Sequence, residues 1–232
     1  MKDELNSREV EELNILISRV PTEGVVKWAV GRFCEKIVMT SSFQTQSLPL
    51  LHMVSKHTPQ LPVVFLDTGF HFEETKSYVE LLKNTLDLNL EVTNPLLGID
   101  GFRNKYKLLY EKDPSMCCYL NKVEPLQRAL EMRSAWITGV RSDQTETRKN
   151  LDYLNLQKDG TLKICPMLHW SASDVDNYIE KYNLPRHPLF QKGYTSIGCE
   201  PCTRKVSISD DIRAGRWHGT EKTECGLHLD QE

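Results

Sequence analysis

The chain has 232 residues and a mass of 26.8 kDa, enough for one sizeable domain whose core needs no disulfides. Its 39% hydrophobic and 26% charged residues are typical of a soluble globular protein and argue against disorder. A net charge of −3 argues against a broad nucleic-acid or anionic-membrane surface, and no apolar run approaches a membrane span. The charged N-terminus lacks the apolar core of a signal peptide, so we expect a cytoplasmic protein.

Helical and strand patterns alternate along the chain. Helical spacing of apolar residues is seen in 8–20, 25–33, 48–54, 72–86 and 123–133, and Ser171 with Asp174 predicts a capped helix to about Tyr182. Short apolar runs typical of buried strands are KIVMT (36–40), PVVFL (62–66), LNLEVTN (88–94) and AWITGV (135–140). This alternation predicts an α/β fold with three layers, in which helices cover both faces of a parallel sheet.

Polar clusters follow three of the predicted strands. They are Ser41–Ser47, Asp67–Gly69 and Gly139–Arg141. In open α/β sheets, ligands bind beyond the carboxyl ends of the strands. We therefore expect the three clusters to converge on one crevice.

The seven cysteines are an odd number, which excludes complete internal pairing. Four of them form two tight pairs, Cys117–Cys118 and Cys199 with Cys202, an arrangement that suggests metal or redox chemistry in a reducing compartment. Two such pairs can supply four thiolates to one site. The spacing leaves zinc, an iron–sulfur cluster and buried apolar cysteines all open. Lys122, about one helical turn beyond Cys118, could offset the negative charge of a four-thiolate site.

Periodicity fades beyond Cys202. The polar stretch 204–232 contains Gly215, Gly219 and Gly226 and predicts a weakly ordered C-terminal tail. This tail carries the last cysteine, Cys225.

Seven segments match one family in the right order. They are SSFQTQS (41–47), LDTGFHFEET (66–75), CCYLNKVEPL (117–126), ITGVRSDQTETR (137–148), GYTSIGCEPCT (193–203), RAGRW (213–217) and ECGLH (224–228). From about Val38 to Leu229 the chain resembles the assimilatory adenylyl-sulfate reductases, in the group that includes the phosphoadenylyl-sulfate reductases. The resemblance implies a Rossmann-like fold of the adenine nucleotide α-hydrolase type. Residues 1–203 would form the nucleotide-binding domain with the iron–sulfur site, and residues 204–232 a mobile, flexible tail.

The resemblance also implies roles for individual residues. Cys225 is the implied catalytic thiol, and one 4Fe–4S cluster is implied on Cys117, Cys118, Cys199 and Cys202. The implied residues at the phosphosulfate are Lys122, Arg213, Arg216 and His228. The remaining substrate-binding residues are expected to be Ser41, Ser42, Gln44 and Ser47 through hydroxyls and amides, Arg141 and Arg148 at the nucleotide or its phosphate, and the backbones of Leu66 and Gly139 at the adenosine. Cys34 and Cys165 match no segment and are expected to be buried, and Asp67 is expected to cap the following helix.

The implied reaction is thioredoxin-dependent reduction of adenylyl sulfate in sulfate assimilation and cysteine biosynthesis. Cys225 would attack the sulfur and displace AMP, and a thioredoxin-like dithiol would release sulfite from the S-sulfocysteine. The reaction needs two electrons, whereas a 4Fe–4S centre usually cycles one. The cluster is therefore expected to organise charge through Lys122 and not to supply the electrons.

Three alternatives remain open. Both cysteine pairs favour adenylyl sulfate as substrate, with phosphoadenylyl sulfate or dual specificity as the runner-up. An ATP-dependent pyrophosphatase on the same fold is disfavoured, because SSFQTQS lacks the glycines of the SGGxDS loop. A zinc-stabilised nucleotide-binding module without catalysis is the third. Apart from the substrate and the dithiol protein, no nucleic-acid or membrane partner is expected, and a homo-oligomer is left open.

Overall fold

One six-stranded sheet forms the centre of the computed structural model, which describes residues 5–207 and 212–228. The strands are β1 (Ile37–Thr40), β2 (Val63–Leu66), β3 (Leu90–Thr93), β4 (Ala135–Thr138), β5 (Leu154–Leu156) and β6 (Leu162–Ile164). Their spatial order is β3-β2-β1-β4-β6-β5, and all neighbours are parallel except the antiparallel pair β5–β6. The four predicted strands are thus confirmed as β1 to β4.

The predicted helices are confirmed with small shifts at their ends. The helices are α1 (Ser7–Ile17), α2 (Thr22–Phe33), α3 (Leu48–His57), α4 (Glu73–Thr85), α5 (Gly98–Tyr106), α6 (Leu109–Lys112), α7 (Pro114–Cys118), α8 (Glu124–Leu130) and α9 (Ala172–Lys181). A π-helical segment, Tyr119–Val123, joins α7 to α8. The capping box of Ser171 and Asp174 opens α9 as expected. None of the helices in the described ranges is both long and apolar enough to cross a bilayer.

Alternate residues of the strands face two different layers. Ile37 and Met39 belong to the large core formed with α1, α2, α3, α4 and α9. Val38 and Trp136 point to the opposite face, where Leu126 of α8 and Leu227 from the C-terminal segment pack on them. The three-layer α/β prediction is therefore confirmed, and residues close to Cys225 help to cover the second face.

The hairpin β5–β6 closes one edge of the sheet. Asn14 of α1 covers this edge, because its Nδ2 donates to the Leu154 carbonyl (2.9 Å) and its Oδ1 accepts from the Leu154 amide (2.8 Å). The hairpin leaves the carboxyl ends of β1, β2 and β4 uncovered by strands.

The C-terminal segment differs from the prediction of weak order. Trp217 and Glu224 are 4% and 3% exposed, and the Trp217 amide donates to the Cys202 carbonyl (3.1 Å). Residues 212–228 therefore pack on the α/β body, although they lack regular periodicity. Residues 208–211 and 229–232 of the predicted tail lie outside the described residues, as does Leu229 at the end of the family resemblance. The boundary at residue 203 and the movement of the segment remain predictions.

Two smaller expectations are wrong, and a third is confirmed. Asp67 does not cap α4, which begins after Phe72; its carboxylate accepts from the Gly69 amide (2.9 Å) and closes a tight turn. Cys34 is exposed at the end of α2, where its φ is 49°. Cys165 is buried as expected.

Candidate active site at the carboxyl edge of the sheet

One cavity lies at the carboxyl ends of β1, β2 and β4, where Thr40, Leu66 and Thr138 line it. The cavity is open to solvent, and about 1210 Å³ of atom-free space, open solvent included, lies between its walls. The residues that line it come from three strand ends and the loops that follow them, where α/β sheets bind their ligands. The predicted convergence holds for the loop at 41–47 and for Gly139, whereas the turn at 67–69 closes outside the cavity lining.

Almost all of the predicted site residues meet in this cavity. Those that line it are Ser41, Ser42, Gln44, Ser47, Leu66, Lys122, Gly139, Arg148, Arg213, Arg216, Cys225 and His228. They come from distant parts of the chain, and the fold brings them to one edge of the sheet. Their individual roles remain predictions.

Arg141 is the exception. Its side chain is 1% exposed and does not line the cavity. Its Nε and Nη2 donate to the Asp143 carboxylate (3.0 and 3.1 Å), and Nη1 donates to the Gln46 side-chain carbonyl. Arg141 thus ties the loop after β4 to the loop after β1, and its contact with the nucleotide remains a prediction.

The loop at 41–47, which follows β1, is anchored in the core by the side chain of Phe43. Phe43 adopts a left-handed conformation (φ 51°), and its fully buried ring packs edge-to-face on Phe65 with centroids 5.5 Å apart. The Ser41 hydroxyl accepts from the Phe43 amide (3.1 Å), and the Gln44 side-chain carbonyl accepts from the Ile197 amide (2.8 Å). The loop thus presents hydroxyl and amide side chains in place of a glycine cradle.

Cations gather at the Cys225 end of the cavity. Lys122, Arg213 and Arg216 line the cavity together with Cys225, and Lys122 and Arg213 interact electrostatically with its thiol. Burial lowers the pKa of Arg213 to about 10, which leaves it charged at neutral pH. Burial alone would lower the pKa of Lys122, but the surrounding cysteine sulfurs raise it above its usual value. The positive charge of this end suits an anionic ligand.

The Arg216 guanidinium is in close contact with Gly198, a residue that the sequence reasoning missed. A Cβ on Gly198 would be 2.5 Å from the Arg216 Cζ and closer still to one terminal nitrogen. Arg216 Nη1 also lies 3.4 Å from the Ile197 carbonyl. Gly198 precedes Cys199 in the motif GYTSIGCEPCT, and that position was the available signal.

Glu224 is a second residue that was missed. Its buried carboxylate accepts from Arg148 Nε (2.6 Å) and Nη2 (2.9 Å), from Arg213 Nη2 (3.4 Å) and from the Thr145 hydroxyl (3.0 Å). Burial alone would raise the pKa of Glu224, but the hydrogen bonds and charges of the two arginines lower it, so the group is ionised. An acidic residue directly before Cys225 in ECGLH was the signal.

The two histidines of the cavity are neutral. Burial and neighbouring cations lower the pKa of His228 well below its usual value, and its ring stacks on Trp136 (5.9 Å between centroids, 6° between planes). His228 therefore lines the cavity as a neutral ring, and its role at the phosphosulfate remains a prediction. His71, which the sequence reasoning did not select, also lines the cavity; its Nε2 donates to the Leu66 carbonyl (3.1 Å), and burial lowers its pKa to about 4.

A second, smaller cavity adjoins the first. Cys117, Cys118, Cys199 and Cys202 all line it, with aromatic walls from Phe70, Tyr110 and Trp217. Lys122 and Trp217 line both cavities and therefore form part of the partition between them. This confirms that the two cysteine pairs come together.

The donor set, four thiols with hydrogen-bonding neighbours, is of the kind that iron–sulfur clusters use. Asn121 Nδ2 donates to Cys117 Sγ (3.5 Å), and the Thr68 hydroxyl lies 3.3 Å from Cys199 Sγ; hydrogen bonds to sulfur are a usual feature of such sites. Among the described residues, no three His, Cys, Asp or Glu side chains are grouped closely enough to hold a metal ion.

A model of the phosphoadenosine phosphosulfate reductase domain matches residues 36–205. The chain belongs to this family. Two relatives, both named adenosine 5′-phosphosulfate reductase, come from Halalkalibacterium halodurans (40% identity, 94% of this chain and 96% of the relative) and Bacillus subtilis (44% identity, 88% of each).

A solved structure shares the family fold. The phosphoadenylyl-sulfate reductase of Candida auris, in complex with phosphate, superimposes with a TM-score of 0.77 at 28% identity, over 89% of this chain and all of that one. FMN adenylyltransferase of Candida glabrata, at 16% identity and a TM-score of 0.57, shares the fold alone. The predicted nucleotide α-hydrolase type of fold is therefore confirmed.

Proposed function

We propose that the protein reduces adenylyl sulfate to sulfite and AMP in assimilatory sulfate reduction, with a thioredoxin-like dithiol protein as reductant. The observation that carries this proposal is the position of the Cys225 thiol beside Lys122 and Arg213 in the cavity at the carboxyl edge of the sheet. The relatives at 40–44% identity carry the name of this activity.

The first half of the reaction is a displacement at sulfur. The thiolate of Cys225 attacks the sulfo group, a sulfur–sulfur bond forms, and the sulfur–oxygen bond to AMP breaks. AMP leaves with the bonding electron pair, so the cysteine becomes S-sulfocysteine. Lys122, Arg213 and Arg216 stabilise the negative charge on the oxygens at this end.

Nucleotide binding is assigned to the opposite end of the cavity. The hydroxyls of Ser41, Ser42 and Ser47 and the side-chain amide of Gln44 line the cavity and would hydrogen-bond the nucleotide, and the backbones of Leu66 and Gly139 would contact its adenosine. A loop of this kind offers hydrogen bonds without wrapping a pyrophosphate. This observation favours adenylyl sulfate, whose anhydride contains a single phosphate, over ATP as the substrate.

The second half of the reaction is thiol exchange. A dithiol thiolate attacks Cys225 Sγ, sulfite leaves with the electron pair of the sulfur–sulfur bond, and a mixed disulfide forms. The second thiol of the reductant then displaces Cys225 and becomes part of a disulfide. The dithiol therefore supplies both electrons.

The four paired cysteines would hold one 4Fe–4S cluster. When bound, the cluster would supply a fixed local charge that Lys122 balances at the partition between the two cavities. The thiols of this pocket are buried, and burial raises the pKa of Cys202 to about 11 and that of Cys117 to about 12. Thiols with such raised pKa values are protonated at neutral pH when no metal is bound. They lose their protons when they bind a metal ion or cluster.

Thioredoxin-dependent sulfite release from adenylyl sulfate tests the function. Wild type should form sulfite, and Cys225→Ser should form none, while Cys34→Ser, a change at the exposed cysteine, should match wild type. Activity of Cys225→Ser would remove the proposed nucleophile. Phosphoadenylyl sulfate in the same assay tests the runner-up: a higher kcat/KM with that nucleotide would make it the substrate instead.

A further inference from the structure

The C-terminal segment is fixed on both sides of Cys225. On one side, Glu224 is 3% exposed and bound to Arg148 and Arg213. On the other side, Leu227 packs with the Val38 and Trp136 cluster, and His228 stacks on Trp136. Cys225 is therefore held at the cavity by its neighbours in the chain.

The Glu224 contact is the polar part of this attachment. Arg148 is 6% exposed and reaches both carboxylate oxygens of Glu224 in a bidentate pair, while the Thr145 hydroxyl donates to one of them. Bidentate arginine–carboxylate pairs are among the strongest hydrogen-bonded pairs in proteins. Both partners are desolvated, so removing Glu224 leaves the buried Arg148 guanidinium without this carboxylate, whereas removing Arg148 leaves Glu224 its longer contact with Arg213 (3.4 Å).

This pair also uses a cation that could otherwise bind substrate. Arg148 lines the cavity, but its Nε and Nη2 are directed to Glu224, and Nη1 donates to the Gln144 side-chain carbonyl. The geometry therefore assigns Arg148 to the segment more than to the ligand. We propose that Glu224 is a positioning residue, which latches the segment 212–228 through Arg148 and so holds the Cys225 thiol at the cavity.

The latch separates the two halves of the reaction, a consequence that rests on the proposed function. Attack on the nucleotide needs Cys225 inside the cavity, whereas exchange with a protein dithiol needs its sulfur exposed to another folded surface. The Glu224–Arg148 pair must hold in the first half and open in the second. Weakening the pair should therefore slow AMP release without slowing sulfite release.

Chemical access to Cys225 tests the latch without any substrate. The probes are iodoacetamide, which is small, and a maleimide on a polyethylene glycol chain, which is bulky; peptide mass spectrometry reports each cysteine separately. Because a change in thiolate fraction affects both probes, the ratio of their rates reports access. Glu224→Gln should raise the bulky-to-small ratio at Cys225 by about tenfold, the effect of losing one charge-assisted hydrogen bond. The ratio at the exposed Cys34 should not change.

Matched variants make the result specific. Glu221→Gln removes an exposed acid of the same segment and should leave the ratio at its wild-type value. Glu224→Asp keeps the carboxylate on a side chain that is one methylene shorter. It should recover part of the wild-type protection of Cys225 against the bulky probe. Arg148→Gln should also open the segment, and the double variant with Glu224→Gln should open it no further than the larger single effect. An unchanged ratio in Glu224→Gln with intact circular dichroism, or fully additive effects, would overturn the latch.

Single-turnover kinetics tests the consequence for the reaction. Without reductant, Glu224→Gln should release AMP about tenfold more slowly than wild type, and thioredoxin should free sulfite from its preformed adduct at least as fast. Equal slowing of both steps would overturn the assignment of the latch to the first half. If Cys225 access changes but adenylyl sulfate yields no AMP in wild type, the proposed function fails and the latch stands.

Discussion

The contact between Gly198 and Arg216 gives a sharp prediction for the cationic end of the cavity. Gly198→Ala places a Cβ 2.5 Å from the Arg216 Cζ. The atoms that must move are the flexible end of a side chain, so the cost in folding stability should be small. The cost should instead fall on the position of the guanidinium, which must leave the cavity wall.

Gly198→Ala should therefore remove one charge-assisted hydrogen bond between Arg216 and the sulfo group of the substrate. Such hydrogen bonds contribute about 1.5–3 kcal/mol, which corresponds to a roughly 10- to 150-fold fall in kcat/KM for adenylyl sulfate. The assay is steady-state sulfite formation with thioredoxin, alongside thermal unfolding. Gly31→Ala is the matched control, because a Cβ there meets nothing within 4 Å.

A comparison with Arg216→Ala completes this test. If Gly198→Ala acts by displacing Arg216, the double variant should be no slower than Arg216→Ala alone. The reasoning would be refuted if Gly198→Ala kept kcat/KM within about twofold of wild type. It would also be refuted if the two effects multiplied in the double variant.

Three further predictions concern the rest of the molecule. Cys118→Ser should lose iron and the visible absorbance of the cluster together with activity; a variant without iron but with full activity would contradict the role of Lys122 and the cluster. Arg141→Gln should lower the free energy of unfolding by about 1–3 kcal/mol, measured in urea, because a buried guanidinium bound to Asp143 is lost; an unchanged stability with raised KM would instead place Arg141 at the nucleotide site. Burial lowers the pKa of His187 from 6.5 to about 4, so the unfolded chain binds more protons than the folded protein between these pH values. The contribution of His187 to the free energy of unfolding should therefore fall by up to about 3 kcal/mol as the pH drops from about 6.5 to 4. His187→Gln should make the stability depend less on pH in this range, and an identical slope would contradict the prediction.

The central strands could be predicted because burial on both faces leaves a mark in the sequence. Val63 to Leu66 are all buried, and the run reads as uniformly apolar. The hairpin β5–β6 leaves little trace, since each strand has three residues and β6 contains the buried Lys163. Strands this short show no period that can be separated from a loop.

The candidate site was predictable where a residue type carries the chemistry. Thiols and free cations in motifs, such as Cys199, Lys122 and Arg216, were found because their chemistry can be named from one residue. The pairing of Arg141 with Asp143 could not be predicted, because a buried ion pair and a ligand contact look the same in sequence. The docking of the C-terminal segment depends on Glu224 and Arg148, 76 residues apart, and a contact between such distant positions leaves no local pattern.

The most direct test of the account is the fate of Cys225 during one turnover. The enzyme is incubated with adenylyl sulfate without reductant, and its peptides are mapped by mass spectrometry. The account predicts one sulfo group on Cys225, formed in step with one equivalent of AMP and released as sulfite by reduced thioredoxin. AMP and sulfite formation with no adduct on Cys225, or an adduct on another cysteine, would contradict it.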